Sequence, residues 1–151
     1  MATVIIGLGN PVLSDDSVGL RAAAELGRRL EAGGVDAVAM ELYGGGLRLM
    51  EAMAGYDCAI VIDAMVSGRR AGAIHRYGAR EWPRSRSLNG SHDGSLAEAL
   101  EFGRAVGLRL PTDIRIWAVE AGDVTTIGEE LTPAVGQALG EVVEHIWSEL
   151  P

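Results

Sequence analysis

Two uninterrupted apolar runs constrain the fold of this chain more than any other feature. Thr3–Leu8 and Cys58–Met65 carry almost no polar residue, and neither alternates polar with apolar positions. A strand of this kind cannot keep one face in water. It belongs in a sheet covered on both sides, the usual setting of parallel strands. The rest of the chain supplies the cover. Val18, Ala22, Leu26 and Leu30 recur every four residues and predict a helix over about 17–31, stopped by Gly33 and Gly34. Residues 35–42 read as a second strand. Leu47, Met50, Met53 and Ala54 mark a short helix ending at Gly55. Residues 72–77 alternate and suit a strand at or near an edge, and 82–93 read as loop. Leu96, Leu100, Gly103 and Val106 predict a helix over 94–107, and 114–119 a last strand. Thr132 offers an N-cap with Pro133 at the first helical position. Val135, Leu139, Val142, Val143 and Ile146 then form the apolar face of a closing helix. Strands alternating with helices give a three-layer α/β sandwich: a mostly parallel five-stranded sheet, one strand antiparallel, with helices on both faces. With 151 residues and no repeat or linker, the chain reads as a single domain spanning 1–151.

Composition then narrows function. Lys plus Arg is 13 against 21 Asp plus Glu, a net charge of −8. Such a chain is repelled by phosphate backbones, so no nucleic-acid partner is expected. All the basic residues are arginines. Without lysine there is no side-chain Schiff base and no P-loop lysine. Cys58 stands alone, which excludes an internal disulfide and a cysteine-only zinc site. It begins a buried strand and reads as a small hydrophobe rather than a nucleophile. No G-x-S-x-G elbow is present, which argues against serine chemistry. No apolar stretch is long enough to span a bilayer, and no basic segment precedes Val4, Ile5 and Ile6. No membrane association and a cytoplasmic location are therefore expected.

In parallel α/β sheets, ligands bind outside the carboxyl ends of the strands. That rule selects residues 9–19, 43–46 and 63–68. The first segment, from Gly7 and Gly9 to Gly19, lacks the third glycine of a dinucleotide turn, because Val12 stands there. It also places Asp15 and Asp16 where a phosphate would dock, which counts against a nucleotide-binding domain. Acids at a helix start often cap it. Two adjacent acids cannot both do so, and the second is left for chemistry. Asp63 terminates a buried run and is either a ligand-edge acid or a turn residue bonding nearby amides. His92 lies in a polar stretch, 89–94, ahead of a helix. Two carboxylates and an imidazole suit a divalent transition metal with open positions, provided the fold joins them. His75 and His145 are less well placed. Arg69, Arg70, Arg76, Arg80, Arg84 and Arg86 share one span with the single acid Glu81. They form either a solvated loop or a docking patch for an acidic protein face, with Trp82 as an anchor.

Taken in order, these motifs resemble the hydrogenase maturation proteases, and the likeness covers nearly the whole chain. It rests on G-x-G-N-x-x-x-x-D-D at the first turn, Asp63 after the third strand, and Ser91-His92 before a helix. Gly44, Gly45 and Gly46 with Leu47 resemble the family's glycine-rich stretch after strand two, and 130–133 its last helix start. Ser17 departs from the family's usual glycine, and Asp16 stands where some members carry Glu. The resemblance implies an endopeptidase that removes a C-terminal extension from the nickel-loaded precursor of the nickel–iron hydrogenase large subunit. It implies Asp16, Asp63 and His92 as metal ligands, Asp16 and Asp63 as catalytic groups, and Gly44, Gly45 and Gly46 as substrate-binding. The nickel would be supplied by the precursor, and the protease would act as a monomer. Whether metal-bound or carboxylate-activated water attacks the peptide stays open.

Two other readings remain. The opening from Val4 to Pro11 also resembles peptidyl-tRNA hydrolases, but their following Arg-His-Asn run is replaced by Val12-Leu13-Ser14-Asp15-Asp16. The alternative is a non-catalytic module of the same fold that grips a metalloprotein without cutting it.

Overall fold

The computed structural model describes residues 2–82 and 95–151. In chain order these form β1 (Thr3–Leu8), a 3-10 turn (Ser14–Ser17), α1 (Val18–Gly33), β2 (Ala37–Leu42), α2 (Leu47–Met53) and β3 (Cys58–Met65). They continue with β4 (Ile74–Tyr77), α3 (Leu96–Ala105), β5 (Asp113–Glu120) and α4 (Pro133–Glu149). Every residue of β1 and β3 is buried, as uninterrupted apolar runs require. The five strands form one sheet in the order β2-β1-β3-β5-β4. All neighbours are parallel except β4, which runs antiparallel to β5 at the sheet's edge.

Successive side chains of a strand point to opposite faces, and here the two sets meet different helices. Val4, Ile6, Ala59 and Val61 pack on Leu49, Met50 and Met53 of α2 and on Leu96 and Leu100 of α3. Ile5, Ile60 and Ile62 pack on Val18, Ala22 and Leu26 of α1 and on Val142 and Ile146 of α4. Each such aliphatic side chain contributes about 1.5–3 kcal/mol when fully buried. The three layers expected from the sequence are therefore present.

The differences lie at element ends. β2 starts at Ala37, two residues later than its apolar run, because α1 stops at Gly33 with Gly34 left-handed at φ 68°. It has one neighbour in the sheet, so Val38 is exposed. The third long helix is shorter than 94–107. Ser95 caps it by accepting a hydrogen bond from the Glu98 N–H at 3.1 Å. Of the expected loop 82–93, only Trp82 lies among the described residues. Among the described residues, no helix is long and apolar enough to cross a membrane.

The start of α1 lies directly on the ends of two strands, and glycine permits it. A Cβ on Gly7 would collide with the Gly19 carbonyl oxygen. One on Gly19 would collide with that of Ile62, and one on Gly9 with that of Asp16. Gly9 also holds φ 150°, which L side chains rarely adopt.

Gly19→Ala should therefore lower the unfolding free energy by about 3 kcal/mol, the upper range for overpacking. Gly140→Ala, in exposed α4 where an added Cβ meets nothing within 4 Å, should raise it by about 0.5–1 kcal/mol. Urea unfolding followed by circular dichroism reads both. Equal stabilities for the two variants would refute the close approach.

Candidate active site

β1 ends earlier along the sheet than β3. Their pairing stops at Gly7 opposite Ile62, and β3 runs on to Met65. Asp63 is the first residue past that pairing. It is 1% exposed, lies opposite Ala118 of β5, and accepts a hydrogen bond from the Ala64 N–H at 2.8 Å. The 3-10 turn occupies the space above the shorter strand and packs against β3. Asp16 sits in that turn at 7% exposure, and its Oδ2 accepts the Asn10 N–H at 3.1 Å. Two buried carboxylates thus stand on adjoining elements at the carboxyl edge of the sheet. Carboxylates are hard oxygen donors suited to a divalent cation. His92 lies outside the described residues, and among the described residues no group of three His, Cys, Asp or Glu side chains could hold a metal.

Gly44, Gly45 and Gly46 leave β2 on the same edge. The Gly9 N–H donates to the Leu42 carbonyl at 3.3 Å, tying the first turn to the end of β2. Gly46 heads α2 at φ 53°. No Cβ projects from this segment, so a ligand backbone can approach it closely.

Asp15 corrects the expectation that one acid of the pair caps its own helix. Neither side chain does so, since no side-chain cap bond forms at either the 3-10 turn or α1. The Asp15 carboxylate instead accepts the N–H groups of Gly122 and Asp123 at 2.8 Å and of Thr132 at 2.7 Å. It also accepts the Thr132 hydroxyl at 2.8 Å. Thr132 holds the N-cap position of α4, yet its side chain serves Asp15 rather than the helix. The same loop contains Asp123. Hydrogen bonds from Thr126, its hydroxyl foremost, and from Thr125 hold the Asp123 carboxyl down to about 2.

The arginine-rich span divides. Arg76 lies 3.3 Å from Glu149 and covers the Trp117 ring at 5.3 Å. Arg69 lies 2.9 Å from a His75 ring nitrogen. Arg84 and Arg86 fall outside the described residues. Trp82 packs against the core on the α2 and α3 side rather than standing out as an anchor. His145 stacks on Trp117 at 5.6 Å, far from the carboxyl edge.

Glu120 is the residue that sequence reasoning missed. It ends β5 on the same edge, is 1% exposed, and accepts the Ser67 N–H at 2.7 Å and hydroxyl at 2.5 Å. His75 Nε2 lies 3.9 Å away. The signal was an acid closing an apolar strand, the same pattern that singled out Asp63.

A family model, HycI hydrogenase maturation protease, matches residues 20–149. The chain belongs to the hydrogenase maturation protease family. It is accordingly a peptide hydrolase, a maturation endopeptidase, and the peptidyl-tRNA hydrolase reading falls away. Solved structures agree on the fold. The hydrogenase maturating endopeptidase HybD from E. coli superposes with a TM-score of 0.75 at 24% identity, covering 98% of this chain and 91% of the other. The [NiFe] hydrogenase maturation protease HycI from Thermococcus kodakarensis KOD1 gives 0.74 at 19% identity, covering 97% and 90%. No curated protein matches the sequence.

Removing the buried Asp15 carboxylate deprives four part-buried donors of their acceptor. Asp15→Ala should cost about 3 kcal/mol, whereas Thr132→Val, which removes one bond, should cost about 1 kcal/mol. Chemical denaturation separates them. An Asp15→Ala protein as stable as the parent would show that the carboxylate does not hold the loop.

Proposed function

We propose that this maturation endopeptidase removes a C-terminal extension from the nickel-loaded precursor of the nickel–iron hydrogenase large subunit. The observation that carries the reading is the pair of buried carboxylates, Asp16 and Asp63, on adjoining elements at the carboxyl edge of a family member. We assign Asp16, Asp63 and His92 as the groups that grip the nickel presented by the precursor. The metal thus belongs to the substrate, and the protease acts as a monomer in the cytoplasm. Bound there, nickel supplies Lewis acidity toward a peptide carbonyl.

The chain's own contribution is positioning and proton transfer. Gly44, Gly45 and Gly46 admit the extended backbone of the extension alongside the acids. One of the two carboxylates accepts a proton from the attacking water as its oxygen bonds to the scissile carbonyl carbon. The C–N bond then breaks, and the proton passes to the leaving amine. Holding water, carboxylate and peptide together accounts for much of the acceleration expected of such a site.

The test is intact-mass analysis of the precursor before and after incubation, with and without nickel. Loss of the extension is expected only from nickel-loaded precursor. Asp16→Asn and Asp63→Asn should lower the rate about a thousandfold or more with an unchanged circular dichroism spectrum. Precursor that is bound but never cut would favour a binding module and sink the protease assignment.

A further inference from the structure

Among the described residues, nine large apolar side chains are exposed, and five of them stand on segments that follow strands at one edge of the sheet. Val12 follows β1, Tyr43 and Leu47 follow β2, Val66 follows β3, and Ile127 lies in the loop after β5. Parallel strands send all these turns to the carboxyl edge, where Asp16 and Asp63 lie. Ile127 is 82% exposed and Tyr43 61%. Exposed large apolar groups gathered at one place mark an interaction surface.

The turns that bear them are held by backbone and buried groups, so the rim is set before a partner arrives. Val12 O accepts the Gly128 N–H at 2.8 Å, which fixes Ile127 beside the first turn. The bond from Gly9 to Leu42 fixes the start of the Tyr43 segment. Val66 stands between two anchors: Met65 O accepts the Ala121 N–H at 2.9 Å, and buried Glu120 grips Ser67. A rim ordered in advance loses less entropy on binding. Two of its turns differ in charge. Exposed Glu129 and Glu130 follow Ile127, and exposed Arg69 and Arg70 follow Val66.

We propose that this rim is the docking surface for the substrate polypeptide on either side of the cleaved bond. It takes an apolar stretch, with basic character beside Ile127 and acidic character beside Val66. This rests on the endopeptidase reading above, because the rim surrounds the same two carboxylates.

Steady-state cleavage of nickel-loaded precursor, with binding of the same precursor measured separately by surface plasmon resonance, tests it. Tyr43→Ser and Ile127→Ser should each raise KM about tenfold, equivalent to about 1.4 kcal/mol, with kcat within about twofold of the parent. Phe102→Ser and Leu108→Ser remove exposed apolar groups elsewhere and should change neither constant. Glu129→Arg should raise KM in the same way. Unchanged KM in the Tyr43 and Ile127 variants of an active enzyme would overturn the rim. Rim variants that act while Glu129→Arg does not would overturn its assigned direction. If the parent binds precursor without cutting it and the rim variants bind about tenfold more weakly, the rim stands and the protease reading fails. No binding by the parent overturns the rim itself.

Discussion

A buried carboxylate organises the carboxyl edge of this protein. Asp15 lies within the 3-10 turn, is fully buried, and draws four donors from the loop joining β5 to α4. Burying a carboxylate is expensive unless hydrogen bonds replace its water, and here backbone N–H groups and one hydroxyl do so. The bonds join segments more than a hundred residues apart. They close the loop 121–132 onto the first turn, fix the start of α4, and hold Asp16 in its place one residue on.

The glycines work with that bond from below. Gly7, Gly9 and Gly19 bring the 3-10 turn down onto β1 and β3 at distances that no side chain allows. Two adjacent acids therefore take different duties. Asp15 turns toward the α4 loop, and Asp16 accepts the Asn10 amide within the turn that packs on β3. A second buried acid, Glu120, repeats the device one strand further along, where it secures the turn that follows Asp63. The carboxyl edge thus carries acids that hold loops beside the two acids of the candidate site. The family's peptide hydrolysis suits such a place, because catalytic groups work best on a scaffold that does not rearrange.

Much of the architecture was legible in the residues. Uninterrupted runs at β1 and β3 can only be buried on both faces, and four-residue periodicity in α1 and α4 leaves one stripe for the sheet. The edge position of β4 followed from the alternation of residues 72–77. Asp63 was legible because an acid closing an apolar strand is conspicuous, and the same test applied to Glu120 would have found it. The duty of Thr132 was not legible. Its sequence context is that of an ordinary N-cap, and only a carboxylate arriving from residue 15 redirects its hydroxyl. The arginine span was only partly legible for a related reason. Composition sees a cluster of like charges, whereas the fold turns Arg76 toward Glu149 and Trp117.

The sequence by itself determined the layers and the strand burial and pointed to the carboxyl edge as the candidate site, because these follow from local periodicity and from the sheet rule for ligand sites. It also carried the motifs that match the family. The tertiary structure alone decided which acid supports and which remains at the candidate site. It also decided which arginines are engaged, and which scattered apolar residues share one rim. Those outcomes depend on contacts between segments distant in the chain. A carboxylate's role is set by the donors that surround it, and no local pattern records where those donors come from.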